Sequence, residues 1–139
     1  MSDNIPGQIG IIGNGSWGTA IAKILTDNGH KIYWWVRSEE AVRHLQERGH
    51  NAHYLTSVRF LPETIMPTNN LQEVLAECDT VIVCVPSAYA QQVIESVDAN
   101  LWAGKNIVSA IKGVLPESNL LLNDYMAANS AFDLNRYVA

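Results

Sequence analysis

Gly13–Gly18 reads GNGSWG, with glycines at the spacing G-x-G-x-x-G. A plain tight turn would also satisfy that spacing, so its context matters more than the glycines themselves. The short apolar run Gln8–Ile12 precedes it, and from Thr19 onward Ile21, Ile24 and Leu25 recur at helical spacing. Ala20 and Ala22 let that helix approach a sheet closely, and Asn28-Gly29 closes it with a glycine C-cap. In a strand, glycine turn and helix read in that order, Gly13 permits the turn, Gly15 lets backbone approach a pyrophosphate, and Gly18 lets helix and strand pack. Free amides at the helix start stabilise the negative charge.

Outward from this unit the pattern repeats. Lys31–Val36 (KIYWWV) is aromatic and β-branched and reads as a strand; Ser38 caps a helix running to about Arg48, which Gly49 stops. His50–Pro62 has no sustained period and reads as a surface excursion, with a short strand near Thr64–Met66. Asn70–Glu77 reads as a short helix and Thr80–Val85 (TVIVCV) as a strand buried on both faces and ended by Pro86. A helix over Tyr89–Val97 presents Tyr89, Val93 and Ile94; a strand over Asn106–Ile111 follows. A last helix from about Pro116 to Ala128 would place Leu120, Leu121 and Tyr125 on its apolar side, and RYVA at the end resembles the start of another strand. Strands alternating with helices predict an α/β fold, a doubly wound parallel sheet in a three-layer sandwich. Ligand is expected beyond the carboxyl ends of the strands, where strand order reverses.

The chain has 139 residues, 47% of them apolar, enough for one compact core and too few for two full domains. Its net charge of −5 and scattered Lys and Arg argue against an extended nucleic-acid footprint or a polybasic membrane patch. The polar start MSDNIPGQ and the lack of any apolar run of about 18 residues predict a soluble, cytoplasmic protein without membrane insertion. Cys78 and Cys84 have no partner at metal-like spacing and read as reduced core or edge thiols.

Several further side chains fall at the predicted ligand end. Ser16 offers a hydroxyl donor to a phosphate, while Trp17 fits either flanking a dinucleotide or covering the sheet edge. Where a strict NAD enzyme often carries Asp or Glu after the second strand, this chain has Arg37, suited to a 2′-phosphate or to lying against adenine. Glu39 and Glu40 keep an NAD reading open, though negative charge at a helix start explains them equally. Lys112, in AIKG, fits a phosphate or a substrate oxygen, and fits a solvated lysine as well. No nucleophile triad is indicated, and His30, His44, His50 and His53 have no evident carboxylate or metal partner.

With these landmarks placed, the chain resembles the N-terminal part of soluble, bacterial-type NAD(P)-dependent glycerol-3-phosphate dehydrogenase. The resemblance is carried in order by IIGNGSWGTAIAKILTDNGH, KIYWWVR, NAHYLTSVRFLP, VIVCVPS and AIKGV. It implies a Rossmann-type NAD(P)-binding domain over residues 1–139, using NADPH or NADH. It also implies an enzyme interconverting glycerol 3-phosphate and dihydroxyacetone phosphate for glycerophospholipid synthesis. By resemblance Ser16, Trp17, Arg37 and Tyr54 contact the cofactor beside Gly13, Gly15 and Gly18, and Lys112 lies near both cofactor and substrate phosphate. Tyr89 aligns only loosely with an aromatic position of some relatives and stays outside this expected site.

The resemblance further places the principal catalytic lysine and most substrate ligands in a later, mostly helical domain with no counterpart in this sequence. The chain is therefore expected to bind cofactor weakly without turning over substrate. Its partner in the whole enzyme would be a phosphorylated small molecule, and homodimerisation is left open. Two other readings share the glycine turn: the cofactor domain of a different two-domain reductase, and a nucleotide-sensing module complete at this length.

Overall fold

The computed structural model describes residues 7–138, so most of the polar N-terminal stretch, and Ala139 of RYVA, lie outside the described residues. In chain order β1 (Ile9–Ile12) leads into α1 (Ser16–Asp27), followed by β2 (Ile32–Trp35), α2 (Glu39–Arg48), β3 (Ile65–Thr68) and α3 (Leu71–Glu77). Then come β4 (Thr80–Val83), α4 (Ser87–Glu95), β5 (Asn106–Ser109), α5 (Leu122–Asn129) and β6 (Tyr137–Val138). All strands are parallel, in the order β3-β2-β1-β4-β5-β6. This is the doubly wound sheet the alternation predicts, with its reversal between β1 and β4.

Side-chain alternation sorts the strands between two cores. Ile9 and Ile11 of β1 join Ile32, Trp34 and Val36 under α1 and α2, with Ala22, Leu45 and Phe60. Ile12 turns the other way and meets Val81, Val83 and Val85, covered by Val74 and Leu75 of α3, Ile94 of α4 and Met126 of α5. The apolar run TVIVCV is thus a period-two strand whose two faces are both covered.

Helix ends follow the local sequence. At the end of α1 the His30 N–H donates to the Leu25 carbonyl and the Gly29 N–H to Thr26, both at 3.1 Å, the paired bonds of a glycine-closed terminus. Ser38 caps α2 by accepting from the Ala41 N–H at 3.1 Å, with Glu39 and Glu40 in the first turn.

The last helix departs from expectation. It starts at Leu122, not near Pro116, because Leu115 is fully buried and the chain closes a loop around it. The Leu115 N–H donates to the Leu120 carbonyl and the Asn119 N–H to that of Leu115, both at 2.8 Å. Asn119 takes φ +61, a left-handed conformation that a continuing helix excludes. Leu120 and Leu121 are consequently exposed, and Leu122 joins Tyr125 and Met126 in the core instead. Along α1, Ile24 is likewise exposed at 60% while Ile21 and Leu25 pack.

Both cysteines are free, Cys78 buried and Cys84 partly so. Burial pushes the Cys78 thiol up to about 12 and the Cys84 thiol up to about 11, from an ordinary 9.0. An unfolded chain ionises them first, so their contribution to stability is intact below about pH 9 and is lost as pH rises toward 11 or 12. The urea midpoint is expected to fall between about pH 8 and about pH 10, and to fall less in Cys78→Ala/Cys84→Ala. An equal fall in both would assign the effect to other groups.

Candidate functional site

Beyond the carboxyl ends of β1, β2 and β4 lies a cleft of about 480 Å³, lined by Gly13, Asn14, Gly15, Arg37, Tyr54, Cys84, Val85 and Pro86, and by Tyr89 and Val93 of α4. Its floor is the glycine turn, and backbone contacts dictate the turn's form. Gly13 has φ +116, its N–H donates to the Trp35 carbonyl at 3.0 Å, and its own carbonyl accepts the buried Trp34 indole N–H at 2.8 Å. A Cβ at Gly18 would stand 2.3 Å from that same carbonyl oxygen, so only glycine permits this approach of helix to strand.

Gly15 is different. A Cβ there would meet nothing within 4 Å, and its φ of −74 suits any residue. No protein contact accounts for this glycine, whereas a group lying on the turn would. Gly15 is also the N-cap of α1, with no side-chain cap and no acidic residue in the first turn. The first helical bond, from the Thr19 N–H to the Gly15 carbonyl at 3.0 Å, leaves the Ser16, Trp17 and Gly18 amides ahead of it. Unanswered amides, the positive helix end and a space cleared of side chain form a cradle for an anion such as a diphosphate.

The expected site residues are only partly gathered. Gly13, Gly15, Arg37 and Tyr54 line the cleft. Ser16 is exposed at the start of α1, and Trp17, at 67% exposure, stands out into solvent. Lys112 is exposed in the segment after β5 and does not line the cleft.

Tyr89, kept outside the expected site, is part of it. The Arg37 guanidinium carbon lies 4.8 Å from the centroid of the Tyr89 ring, so the cation is held against an aromatic face across the cleft. Pro86 is the N-cap of α4, which starts two residues earlier than its apolar spacing suggests and carries Tyr89 in its first turn, 44% exposed on the cleft.

A second omission is Asn51, 2% exposed, whose side chain bonds to the glycine turn and to the loop carrying Tyr54. Its spacing before two polar loop residues is the signal of an Asx turn, but nothing local in the sequence points to the distant turn. A smaller cleft of about 230 Å³ adjoins it, lined by Ser38, Glu40, His44 and His53 among others. His44 and His50 meet edge-on, ring centroids 4.7 Å apart. Among the described residues no group of His, Cys, Asp and Glu could hold a metal ion, and no helix is long and apolar enough to cross a membrane.

Residues 8–133 match the family model described as NAD-dependent glycerol-3-phosphate dehydrogenase N-terminus. The chain belongs to this family. It is similar to the glycerol-3-phosphate dehydrogenases [NAD(P)+] of Azotobacter vinelandii, 36% identical over 83% of the chain, and Halalkalibacterium halodurans, 34% identical over 84%. In each case it spans 33% of the length of the relative. Among solved structures it is similar to glycerol-3-phosphate dehydrogenase from Coxiella burnetii, with a TM-score of 0.78 and 30% identity, covering 91% of this chain and 38% of that one. The glycine turn, Arg37 and the NAHYL loop that line the cleft all lie inside the part matched to the glycerol-3-phosphate dehydrogenase N-terminus.

Proposed function

We propose that this chain is the dinucleotide-binding domain of an enzyme that interconverts sn-glycerol 3-phosphate and dihydroxyacetone phosphate with NADPH or NADH. The observation that carries the reading is Gly15, a glycine without a protein contact to explain it, at the uncapped end of α1 on a cleft floor. A diphosphate on that cradle would be held by the turn and helix amides, with the Ser16 hydroxyl within the same first turn. Arg37, braced on Tyr89, would receive the adenosine end: its guanidinium pairs with a 2′-phosphate or stacks on adenine. Tyr54 and the exposed Trp17 would flank the bound molecule.

When bound, a nicotinamide dinucleotide supplies the hydride that passes between its ring and the substrate carbon. What this chain adds is orientation: Gly13 to Gly18 would hold the central diphosphate and Arg37 the adenosine end, which would direct the nicotinamide toward the β4 and β5 side of the sheet. Lys112, beyond β5 on that side, would neutralise substrate phosphate. The lysine that assists protonation, and most substrate ligands, would come from a separate helical domain of the intact enzyme. The reading makes that enzyme a cytoplasmic source of the glycerophospholipid backbone. A sensing module or a different reductase would use the same turn, but neither accounts for a family match across residues 8–133.

Calorimetric titration with NADPH and NADH separately tests the reading. Binding of both is expected, tighter for NADPH, and a folded chain that binds neither would overturn it. In Arg37→Ala, NADPH affinity is expected to fall about ten-fold and NADH affinity by less than about three-fold. Equal losses would remove the 2′-phosphate contact and leave adenine stacking as the role of Arg37.

A further inference from the structure

Asn51 joins two segments that meet at the cleft. Its Nδ2 donates to the Asn14 carbonyl at 2.7 Å and to Thr19 Oγ1 at 3.0 Å. Its Oδ1 accepts from the backbone N–H groups of His53 at 2.8 Å and Tyr54 at 3.1 Å. Both donor and both acceptor positions of a primary amide are therefore used, on a side chain only 2% exposed. Nothing in the His50–Pro62 excursion requires bonds to a turn 37 residues earlier in the chain.

The geometry assigns the bonds a purpose. In a trans peptide the N–H points opposite to the carbonyl. An Asn14 carbonyl held by Asn51 therefore turns the Gly15 N–H to the opposite side. Asn14 lines both clefts, Asn51 the smaller one and Gly15 the larger, so the turn stands between the Asn51 amide and the larger cleft. The next peptide is fixed in the same way: Thr19 Oγ1, which accepts from Asn51, donates to the Gly15 carbonyl at 2.8 Å. The Gly15 carbonyl is thereby drawn along the helix, and the Ser16 N–H faces outward from its end. Without Asn51 both peptides lose a restraint, and a turn containing two glycines has ample freedom to rotate.

We propose that Asn51 is a positioning residue for dinucleotide binding, holding the Asn14–Ser16 peptides so that their N–H groups face the diphosphate. The proposal rests on the dinucleotide reading above and adds a residue that touches no part of the ligand. It predicts a selective effect, confined to ligands that carry the diphosphate.

The experiment titrates wild type and Asn51→Ala with NADPH, with ADP-ribose, and with 2′-AMP, which has the adenosine end and no diphosphate. Near-UV circular dichroism checks the fold. Asn51→Ala is expected to weaken NADPH and ADP-ribose about ten-fold and to leave 2′-AMP within about two-fold. Unchanged affinities, or equal losses for all three ligands, would overturn the proposal. Should Asn51→Ala fail to fold, Thr19→Val is expected to show the same selective loss and Thr19→Ser to restore binding; a Thr19→Val chain that binds normally overturns it too. Wild type binding neither NADPH nor ADP-ribose overturns the dinucleotide reading, and Asn51 with it. Wild-type binding unaffected in the variants overturns the role of Asn51 alone.

Discussion

Gly18→Ala is expected to lower the unfolding free energy by about 3 kcal/mol, at the upper end for adding one methyl group to a packed interior. The added Cβ would lie 2.3 Å from the Gly13 oxygen and 3.0 Å from the Gly13 carbonyl carbon, both of them backbone. Neither atom can yield, because the Gly13 carbonyl is held by the Trp34 indole and the Gly13 N–H by the Trp35 carbonyl. Relief would require α1 to lift from the sheet, pulling Ala22 out of its core. A urea midpoint within error of wild type would show that the helix stands farther from β1 than these distances indicate.

The opposite result is expected three residues earlier. Gly15→Ala should change stability by no more than about 1 kcal/mol, since its Cβ enters open space from an ordinary extended backbone. Dinucleotide affinity should nevertheless fall about a hundred-fold, because the methyl group occupies the space over the turn that a diphosphate needs. The pair of glycines thus separates folding from binding: one variant loses stability at a packed contact, the other loses ligand at an unpacked one. A Gly15→Ala chain that binds NADPH as wild type does would mean that the diphosphate does not cross the turn at this residue.

Much of the architecture was legible because each signal was local. KIYWWV, TVIVCV and NIVS have strand composition, and Ser38 and Gly49 bracket α2 in the expected places. At α5 the local signal misled. Pro116 and the acidic residue after it suit a helix start, but burial of Leu115 and the left-handed Asn119 close a loop there first. Tertiary demand outweighed propensity over those residues.

At the site, the turn and Arg37 could be read from spacing and position, whereas Tyr89 and Asn51 could not. Tyr89 reads as one more apolar residue of a helix face until α4 is placed beside the end of β2. Asn51 reads as a loop residue until the Asn14 carbonyl stands next to it. Both act through partners distant in sequence, which periodicity does not report.

Strand order also bears on how the chain acquires its shape. β1 is made first, yet it occupies the middle of the sheet, paired on one side with β2 and on the other with β4. During synthesis its Ile9–Ile12 edge toward β4 must wait until Thr80–Val83 emerges, after more than half of the chain. A nascent β3-β2-β1 half-sheet exposes a row of unpaired backbone N–H and C=O groups for that interval, a place for mispairing or for a chaperone. Closure by β4 also sets the crevice between β1 and β4, so the ligand cleft is finished only in the later stage of folding.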